Sequence, residues 1–529
     1  MGGRDATWLA IGASIFASNI GSEHLIGLAG AGASSGMAMA HWEIQGWMIL
    51  ILGWVFVPFY TRSMVYTMPE FLERRYNPQS RTILSVISLV SYVLTKVAVT
   101  VYAGGLVFQQ VFGIKELWGI DFFWIAAIGL VVLTALYTIF GGMKSVLYTS
   151  VLQTPILLLG SLIILVLGFK ELGGWDEMMR VCGAVTVNDY GDTMTNLIRS
   201  NDDANFPWLG ALIGSAIIGF WYWCTDQFIV QRVLSGKNEM EARRGTIFGA
   251  YLKLLPVFLF LIPGMIAFAL HQKYIGAGGE GFLPMLENGT ANADAAFPTL
   301  VAKLLPAGVK GLVVCGILAA LMSSLASLFN SSAMLFTIDF YKRFRPQTSE
   351  KKLVGIGQVA TVVIVILGIL WIPIMRSVGD VLYTYLQDVQ SVLAPGIAAA
   401  FLLGICWKRT SAQGGMWGLI SGMVIGLTRL GAKVYYSNAG EVADSTFKYL
   451  FYDMNWLFFC GWMFLFCIIV VIVVSLATEA PTAEKIQGLV FGTATKEQKA
   501  STRASWNHWD IIHTVIILAI TGAFYWYFW

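Results

Sequence analysis

Three side chains that could bind a hydroxyl-rich molecule lie inside apolar stretches of this sequence: Glu43, Lys253 and Gln387. A hydroxyl group both donates and accepts a hydrogen bond, so an acid, an amine and an amide together suit a polyol. Glu43 would disfavour an anionic ligand, because like charges repel strongly where the dielectric constant is low. The alternative is that Lys253 forms a structural ion pair or extends to the membrane surface. Because Lys253 lies deep in an apolar run, such an extension is strained and a binding role is favoured.

The stretch Gly12–Glu43 carries more polar residues than a lipid-facing helix tolerates. It is long and apolar enough to cross a bilayer, yet its middle contains Ser14, Ser18, Asn19, Ser22, Glu23 and His24. Each unsatisfied polar group in hydrocarbon is costly, so we predict a helix that is broken near Asn19–Gly21. Its freed carbonyls and side chains would line a buried site. Interrupted helices of this kind are typical of substrate and ion sites in secondary transporters.

Composition places these residues in a polytopic membrane protein. The 529 residues are 57% hydrophobic and only 12% charged, with a mean hydropathy of +0.69. No soluble class of protein has such values. Apolar runs of about 18–30 residues predict thirteen membrane-spanning helices. These are 7–33, 43–61, 82–112, 122–141, 145–169, 207–232, 245–271, 307–341, 353–375, 379–406, 412–431, 455–477 and 509–528.

The distribution of Lys and Arg predicts the orientation in the membrane. Short connections on one side hold most of the basic residues, whereas the long acidic segment Asp176–Asp203 falls on the other side. Because basic loops stay in the cytoplasm, the amino terminus is predicted inside and the carboxyl terminus outside. We expect a multi-pass protein of the plasma (cell or inner) membrane, in contact with the lipid bilayer.

Several other classes of function are disfavoured. The basic residues lie in short loops and form no single basic face, so nucleic-acid binding is not expected. The six cysteines contain no CxxC pair, which disfavours a disulfide framework or a zinc site. The sequence has no HExxH, no GxSxG and no Cys/His cluster at catalytic spacing, so an enzyme is not expected.

The first ten spans divide into two sets of five. Their first members both carry a polar interruption, at Asn19–His24 and at Gly219–Gln227. An odd number of spans per set inverts the second copy relative to the first. The pattern therefore predicts an inverted repeat whose two interrupted helices meet at a central site.

Several motifs, in the correct order, resemble those of the sodium:solute symporters, and most closely the sodium/glucose cotransporter branch. They are ASNIGSEHLIGLAG, TMPEFLERRY, WYWCTDQFIVQR, GAYLKLLP, LMSSLASLFNSSAMLFTIDFY and PGIAAAFLLGICWKR. The resemblance implies an all-α polytopic membrane protein with a LeuT-type five-plus-five inverted-repeat core. The core would occupy 1–409, with repeat one at about 7–170 and repeat two at about 207–406. Three additional C-terminal transmembrane helices would follow in 410–529.

Members of the family usually have one further helix ahead of the broken first core helix. It ends near a motif similar to Gly2-Gly3-Arg4, which is where this sequence begins. Because the core is intact, we expect the mechanism to be kept.

The resemblance also implies Na⁺ as a co-transported ion. Its ligands would be the backbone carbonyls of Ala17, Ile20 and Ala320 and the hydroxyls of Ser323 and Ser324. Sodium is a hard cation that prefers oxygen ligands, and a broken helix offers carbonyls without helical partners. The alternative is that the two serines bond back to carbonyls one turn earlier. The surrounding motif favours the sodium role.

A second sodium site is not expected. Some relatives build one from an aspartate in the fifth core helix and a threonine shortly after the serine pair. Here Tyr148-Thr149-Ser150 has a serine at the first position, and Ala326 stands at the second. Without the carboxylate a second cation would lose its main charge partner, so we predict one Na⁺ per substrate.

For the substrate, the resemblance places Glu43, Lys253 and Gln387 at a central cavity. Asn19 and His24 would add contacts from the broken helix. Tyr222, Trp223 and Tyr383 match positions that cover or flank a sugar, with Tyr222 as the inner gate. Such rings can stack on the apolar C–H faces of a sugar.

These residues predict sodium-coupled import of a small neutral sugar of the glucose or galactose type, by alternating access. Two alternatives stay open: a symporter of another neutral polyol such as myo-inositol, and a sugar-gated membrane sensor without net transport. Accumulation against a gradient would separate transport from sensing. The oligomeric state is not predicted.

Overall fold

The structure is a computed structural model that describes residues 5–65, 67–286, 289–378, 381–439 and 443–529. Within the helices, the side chains of residues 137, 139–154 and 376–378 lie outside this description.

The chain is almost entirely helical. The first helices are α1 (Trp8–Asn19), α2 (Ala29–Ser35), α3 (Ala40–Glu43), α4 (Gly46–Ile51), α5 (Val57–Ser63), α6 (Met68–Arg75), α7 (Pro78–Ser91), α8 (Ala98–Phe112), α9 (Phe122–Leu172), α10 (Trp175–Gly183), α11 (Trp208–Gly219) and α12 (Gln227–Leu234). They are followed by α13 (Glu239–Leu252), α14 (Ile262–Gly276), α15 (Ala296–Leu304), α16 (Ala307–Met334), α17 (Lys342–Phe344), α18 (Glu350–Val378), α19 (Leu382–Cys406), α20 (Ala412–Asn438), α21 (Thr446–Lys448), α22 (Trp456–Ala477), α23 (Ala483–Ile486), α24 (Lys496–Ala504) and α25 (His508–Tyr527).

Shorter elements connect these helices. Two-residue strands β1 (Glu116–Leu117) and β2 (Ile120–Asp121) form an antiparallel hairpin. The turn residues Trp118 and Gly119 both have positive φ, as a tight hairpin turn requires. Turns of 3₁₀ helix lie at Gly36–Met39 and Ala293–Ala295. Segments of π-helix lie at Glu23–Leu28, Leu52–Phe56, Tyr92–Val97, Phe220–Thr225, Val257–Leu261, Leu335–Tyr341 and Tyr449–Asp453.

Both predicted helix breaks are present. α1 ends at Asn19, Ile20 is extended with φ −79° and ψ 105°, and helical structure resumes at Glu23. In the second set, the helical chain from α11 ends before Asp226, which is extended with φ −72° and ψ 127°, and α12 begins at Gln227. Two interrupted helices at matching places confirm the interpretation of the polar stretches.

Ten helical segments in the described residues are long and apolar enough to cross a membrane. They are Glu23–Ser63, Pro78–Phe112, Pro155–Leu172, Trp208–Thr225, Glu239–Gly276, Ala307–Phe344, Glu350–Met375, Leu382–Cys406, Trp456–Ala477 and His508–Tyr527. Shorter apolar helices lie at Trp8–Asn19 and Phe122–Leu136. The count of thirteen spans and the division of the chain at residue 409 stay predictions.

One predicted boundary is wrong. The sequence predicts separate spans at 122–141 and 145–169, but both lie in α9, a continuous helix of 51 residues. Gly141 and Gly142 lie at the junction of the two predicted spans. A glycine costs a helix only about 1 kcal/mol relative to alanine, so the helix can continue through them.

Close backbone contact joins the second half of the broken helix to α14. A Cβ built on Gly264 would lie 1.9 Å from the Ala29 carbonyl oxygen, and one on Gly32 would lie 2.2 Å from that of Leu261. Small residues permit this approach between membrane helices. The contact holds the broken helix beside α14, which follows Lys253 at the end of α13.

Candidate functional site

The predicted substrate residues converge where several helices end or are interrupted. Asn19 is the last residue of α1, and Glu43 is the last residue of α3. Lys253 caps the end of α13, and the chain resumes a helical course after Pro256. Helix ends expose backbone groups and let side chains turn inward. The sequence therefore places Asn19, Glu43 and Lys253 at depth by ending or interrupting helices there.

Glu43 is the centre of the cluster and is fully buried. Its Oε2 accepts a hydrogen bond from Lys253 Nζ at 2.6 Å and lies 3.2 Å from His24 Nε2. Its other oxygen, Oε1, accepts from the Tyr383 hydroxyl at 2.5 Å. A buried charge is tolerated when it is paired and hydrogen-bonded, and Lys253 and Tyr383 provide these bonds, one to each carboxylate oxygen.

Asn19 links this cluster to the second broken helix. Its Oδ1 accepts from Lys253 Nζ at 3.1 Å, and its Nδ2 donates to the Tyr222 hydroxyl at 3.2 Å. The Lys253 ammonium also lies 5.3 Å from the centre of the Trp223 ring, within the range of a cation–π contact. Lys253 thus forms an ion pair with Glu43, which was the alternative to a binding role. It also lines the cavity, as the binding role requires.

Gln387 lies on α19, one turn after Tyr383, and lines the same cavity. Its Oε1 is buried without a hydrogen-bond partner among the described residues, and the same holds for His24 Nδ1. Buried polar atoms are normally paired, so unpaired atoms at a cavity indicate a place where a hydroxyl or a water completes the network.

The cavity between these side chains is small in this conformation, about 30 Å³. That volume holds one or two waters, whereas small-molecule sites are typically about 300–1,000 Å³. Glu43, Lys253, Asn19 and Tyr383 are hydrogen-bonded to one another and must separate to admit a solute. The site is therefore closed, and Tyr383 holds one side of it through its bond to Glu43.

Six further residues line the cavity: Glu23, Trp42, Gln45, Ile218, Gly219 and Gln390. Glu23 belongs to the polar stretch predicted to line a buried site, whereas Gln45 and Gln390 were not assigned to it. Gln390 lies three residues after Gln387, a spacing that keeps two side chains on one helix face. The sequence alone could therefore have placed Gln390 beside the site. Gln45 could not be found that way, since its Nε2 is anchored to the Ser215 carbonyl at 2.8 Å on a distant helix.

Lys96 lies beside the inner face of the site. Its ammonium is 4.7 Å from the centre of the Tyr222 ring and 4.0 Å from that of Phe228. Both rings flank the second helix break. Lys96 therefore contacts Tyr222, the residue that the family resemblance assigns to the inner gate.

Two of the predicted sodium ligands, the carbonyls of Ala17 and Ile20, lie at the first helix break. The Ile20 N–H bonds the Phe16 carbonyl, while the N–H groups of His24 and Leu25 both bond the Gly21 carbonyl. None of these donors reaches the carbonyls of Ala17 or Ile20. The carbonyls of Ala17 and Ile20, at the interrupted end of α1, therefore remain candidate ligands for a cation.

The serine pair lies against the same break. A Cβ built on Gly21 would lie 2.8 Å from Ser324 Oγ, so only a glycine permits this approach. Ser323 precedes Ser324 on α16, and Ala320 lies one turn earlier on the same helix. Of the two positions for a second cation, Ala326 is a buried apolar residue, and the side chain of Ser150 lies outside the described residues.

Comparison with known proteins identifies the family. Residues 1–422 match the model of the sodium:solute symporter family. The sodium/myo-inositol cotransporter 2 of Homo sapiens is 37% identical over 506 residues, which cover 93% of this chain and 74% of that protein. The sodium/myo-inositol cotransporter of Canis lupus familiaris is 37% identical over 514 residues, covering 93% and 70%.

A solved structure has the same fold. A Na⁺-coupled sialic acid symporter in a substrate-bound outward-open state has a TM-score of 0.67 at 22% identity, covering 91% of this chain and 92% of that one. This likeness confirms the predicted all-α, LeuT-type architecture. With the family match over most of its length, the chain belongs to the sodium:solute symporter family and is a multi-pass membrane protein that transports a small solute together with Na⁺.

Proposed function

We propose that this protein imports myo-inositol, or a closely related neutral cyclic polyol, together with Na⁺. The glucose-type hexose expected first from the sequence is the less favoured substrate, because the relatives that cover 93% of the chain are named for myo-inositol. The observation that carries the proposal is the buried cluster of Glu43, Lys253, Asn19 and Tyr383.

The chemistry of this cluster suits a neutral ring with hydroxyls on every side. Glu43 and Lys253 are opposite in charge and 2.6 Å apart, so the pair offers no net charge to attract an ion. It does offer strong acceptors and strong donors side by side. Hydrogen bonds to charged groups are worth about 1.5–3 kcal/mol each, so a polyol that inserts between the two can recover what the pair loses.

Tyr383 and Tyr222 are proposed as the outer and inner coverings of the bound polyol. Entry of the solute would replace the Tyr383–Glu43 hydrogen bond and let α19 move away from the broken helix. Tyr222 donates nothing to the cluster but accepts from Asn19 at 3.2 Å, so its release is linked to the residue that contacts Lys253. Each covering is thus tied to the substrate site by one hydrogen bond.

Sodium would bind at the first helix break, between the carbonyls of Ala17, Ile20 and Ala320 and the hydroxyls of Ser323 and Ser324. An ion there would join α1 to α16 and favour the arrangement that accepts substrate. Coupling requires that both ligands stabilise the same state. At about 100 mV, one inward Na⁺ charge supplies roughly 2.3 kcal/mol in addition to its concentration gradient.

The test is uptake by the purified protein in proteoliposomes with an inward Na⁺ gradient. We expect radiolabelled myo-inositol to accumulate above equilibrium, with unlabelled myo-inositol competing better than glucose or galactose. Replacing external Na⁺ with K⁺ should abolish accumulation. If glucose competes better than myo-inositol, the substrate is a hexose. Na⁺ currents without accumulation of any polyol would favour a sugar-gated sensor.

A further inference from the structure

A cleft distant from the substrate site lies where α20 begins and α22 ends. It measures about 580 Å³, and the residues on its walls include Arg75, Ala412, Gln413, Thr478, Glu479 and Lys485. The cleft is therefore within the size range of small-molecule sites.

The start of α20 presents hydrogen-bond donors to this cleft. α20 is 27 residues long, and its N-cap hydroxyl, Ser411 Oγ, accepts from the Gly414 N–H at 3.0 Å. The Ser411 carbonyl accepts a hydrogen bond from the Gly415 N–H. Ala412 and Gln413 precede these donors, so their N–H groups have no partner within the helix, and both residues line the cleft. The positive end of the helix dipole lies at the same place.

Arg75 adds an independent donor. It is 1% exposed, and its Nε donates to the Gly404 carbonyl at 2.6 Å while Nη2 donates to the Thr410 carbonyl at 3.0 Å. Nη1 is buried and has no hydrogen-bond partner among the described residues. A buried guanidinium nitrogen without a partner is costly, and Arg75 lines this cleft.

The charges of the cleft favour an anion. Arg75 and Lys485 are positive, and Glu479 is the one acidic side chain on its described walls. Lys485 Nζ is held at the rim by the Glu73 carbonyl at 2.9 Å. Glu479 is exposed, so water screens its repulsion, whereas the Arg75 charge acts from a buried position.

We propose that this cleft binds a phosphate group. Its tetrahedral oxygens would accept from Arg75 Nη1, from the Ala412 and Gln413 N–H groups and from Lys485, a combination of charged donors and a helix N-terminus that suits phosphate. The group can belong to a free phosphate or to a phospholipid headgroup, and the two sources share this chemistry.

The test uses the full chain in detergent and follows thermal unfolding with a thiol-reactive dye. The buried cysteines Cys182, Cys224, Cys460 and Cys467 report unfolding. Inorganic phosphate supplies the free ligand, and mixed micelles of phosphatidylglycerol, compared with phosphatidylcholine, supply the headgroup. A ligand that binds the folded state raises the melting temperature by mass action.

Three variants locate the binding. Gln413→Glu places a carboxylate beside the donors and should weaken binding about tenfold. Ala412→Pro removes one N–H at the first helical position, where proline is well tolerated, and should also weaken binding. Glu479→Gln removes the repelling carboxylate and should tighten binding about threefold. Gln272→Glu, at an exposed position on α14, is the matched control and should change nothing.

A response to inorganic phosphate alone identifies a free phosphate site, and a response to phosphatidylglycerol alone identifies a headgroup site. Either result supports the proposal if the three variants alter it as stated. The absence of both responses, or responses that Gln413→Glu and Glu479→Gln leave unchanged, would overturn it. Neither result depends on the identity of the transported solute.

Discussion

At the scale of single residues, the substrate site depends on one carboxylate. Glu43 is hydrogen-bonded to Lys253 and Tyr383 and lies 3.2 Å from His24. Its removal would leave the Lys253 ammonium buried with Asn19 as its remaining oxygen partner among the contacts described here. Truncating one partner of a buried pair typically costs about 3–5 kcal/mol, because the other charge stays unpaired.

We therefore expect Glu43→Gln to lower polyol uptake at least tenfold while keeping the shape of the side chain. Initial rates in proteoliposomes measure the effect. The matched control is Asp444→Asn, which removes one of the two carboxylate partners of Lys448, at a site where Asp444 is 95% exposed. Exposed pairs contribute about 0–1 kcal/mol, so uptake should hardly change. Equal losses in the two variants would contradict a role of Glu43 in the site.

The second residue-scale prediction concerns Ser324, whose hydroxyl lies against Gly21 at the helix break. Ser324→Ala removes one proposed oxygen ligand, so the Na⁺ concentration for half-maximal uptake should rise about tenfold. Uptake measured over a range of Na⁺ concentrations gives this value. Ser161→Ala, at a buried serine of α9, is the control. Unchanged Na⁺ dependence in Ser324→Ala would remove this residue from the sodium site.

At the scale of elements, the contact between α2 and α14 positions the broken helix. Gly264 is pressed against the Ala29 carbonyl, so a methyl group there would force the helices apart. We expect Gly264→Ala to destabilise the protein by about 1–3 kcal/mol, the usual cost of overpacking. The yield of monodisperse protein and its melting temperature measure the loss. Gly311→Ala on α16 has open space around it and should cost nothing, and equal stability of the two variants would refute the packing argument.

Much of this element-scale arrangement is readable in the sequence, because polar residues in an apolar run leave few options. Asn19 and Asp226 lie at breaks that the polar stretches predict, and Glu43 and Lys253 share one site as the motifs predict. The run lengths could not show that α9 is continuous, since a glycine pair fits both a turn and a helix interior. The position of Gln45 at the cavity and the hydrogen bond from Tyr383 to Glu43 depend on three-dimensional packing. The periodicity of the sequence does not contain this information.

At the scale of the whole molecule, the predicted orientation can be tested by labelling single cysteines. In a background with Cys315 and Cys406, the exposed cysteines, changed to serine, Asn201→Cys and Ser501→Cys each add one exposed thiol. An impermeant maleimide added to intact cells should label Asn201→Cys only, because the rule for basic loops places Ser501 in the cytoplasm. Permeabilised cells control for reactivity, and the opposite pattern would reverse the orientation.

The number of ions per cycle is also a property of the whole molecule. One Na⁺ and a neutral polyol move one charge per substrate, so the ratio of charge to substrate flux should be near one. Current and radiolabel uptake recorded on the same cells give this ratio. A ratio near two would show a second cation site despite Ala326 and Ser150.

The pairing of Glu43 with Lys253 has a consequence for the return half of the transport cycle. A carrier that has released its cargo must reorient without it, and naked charges in a dry interior would make that step slow. Because these two groups neutralise each other, we expect the unloaded protein to reorient without exposing a net charge to the membrane interior. For the same reason we expect little passage of ions in the absence of solute.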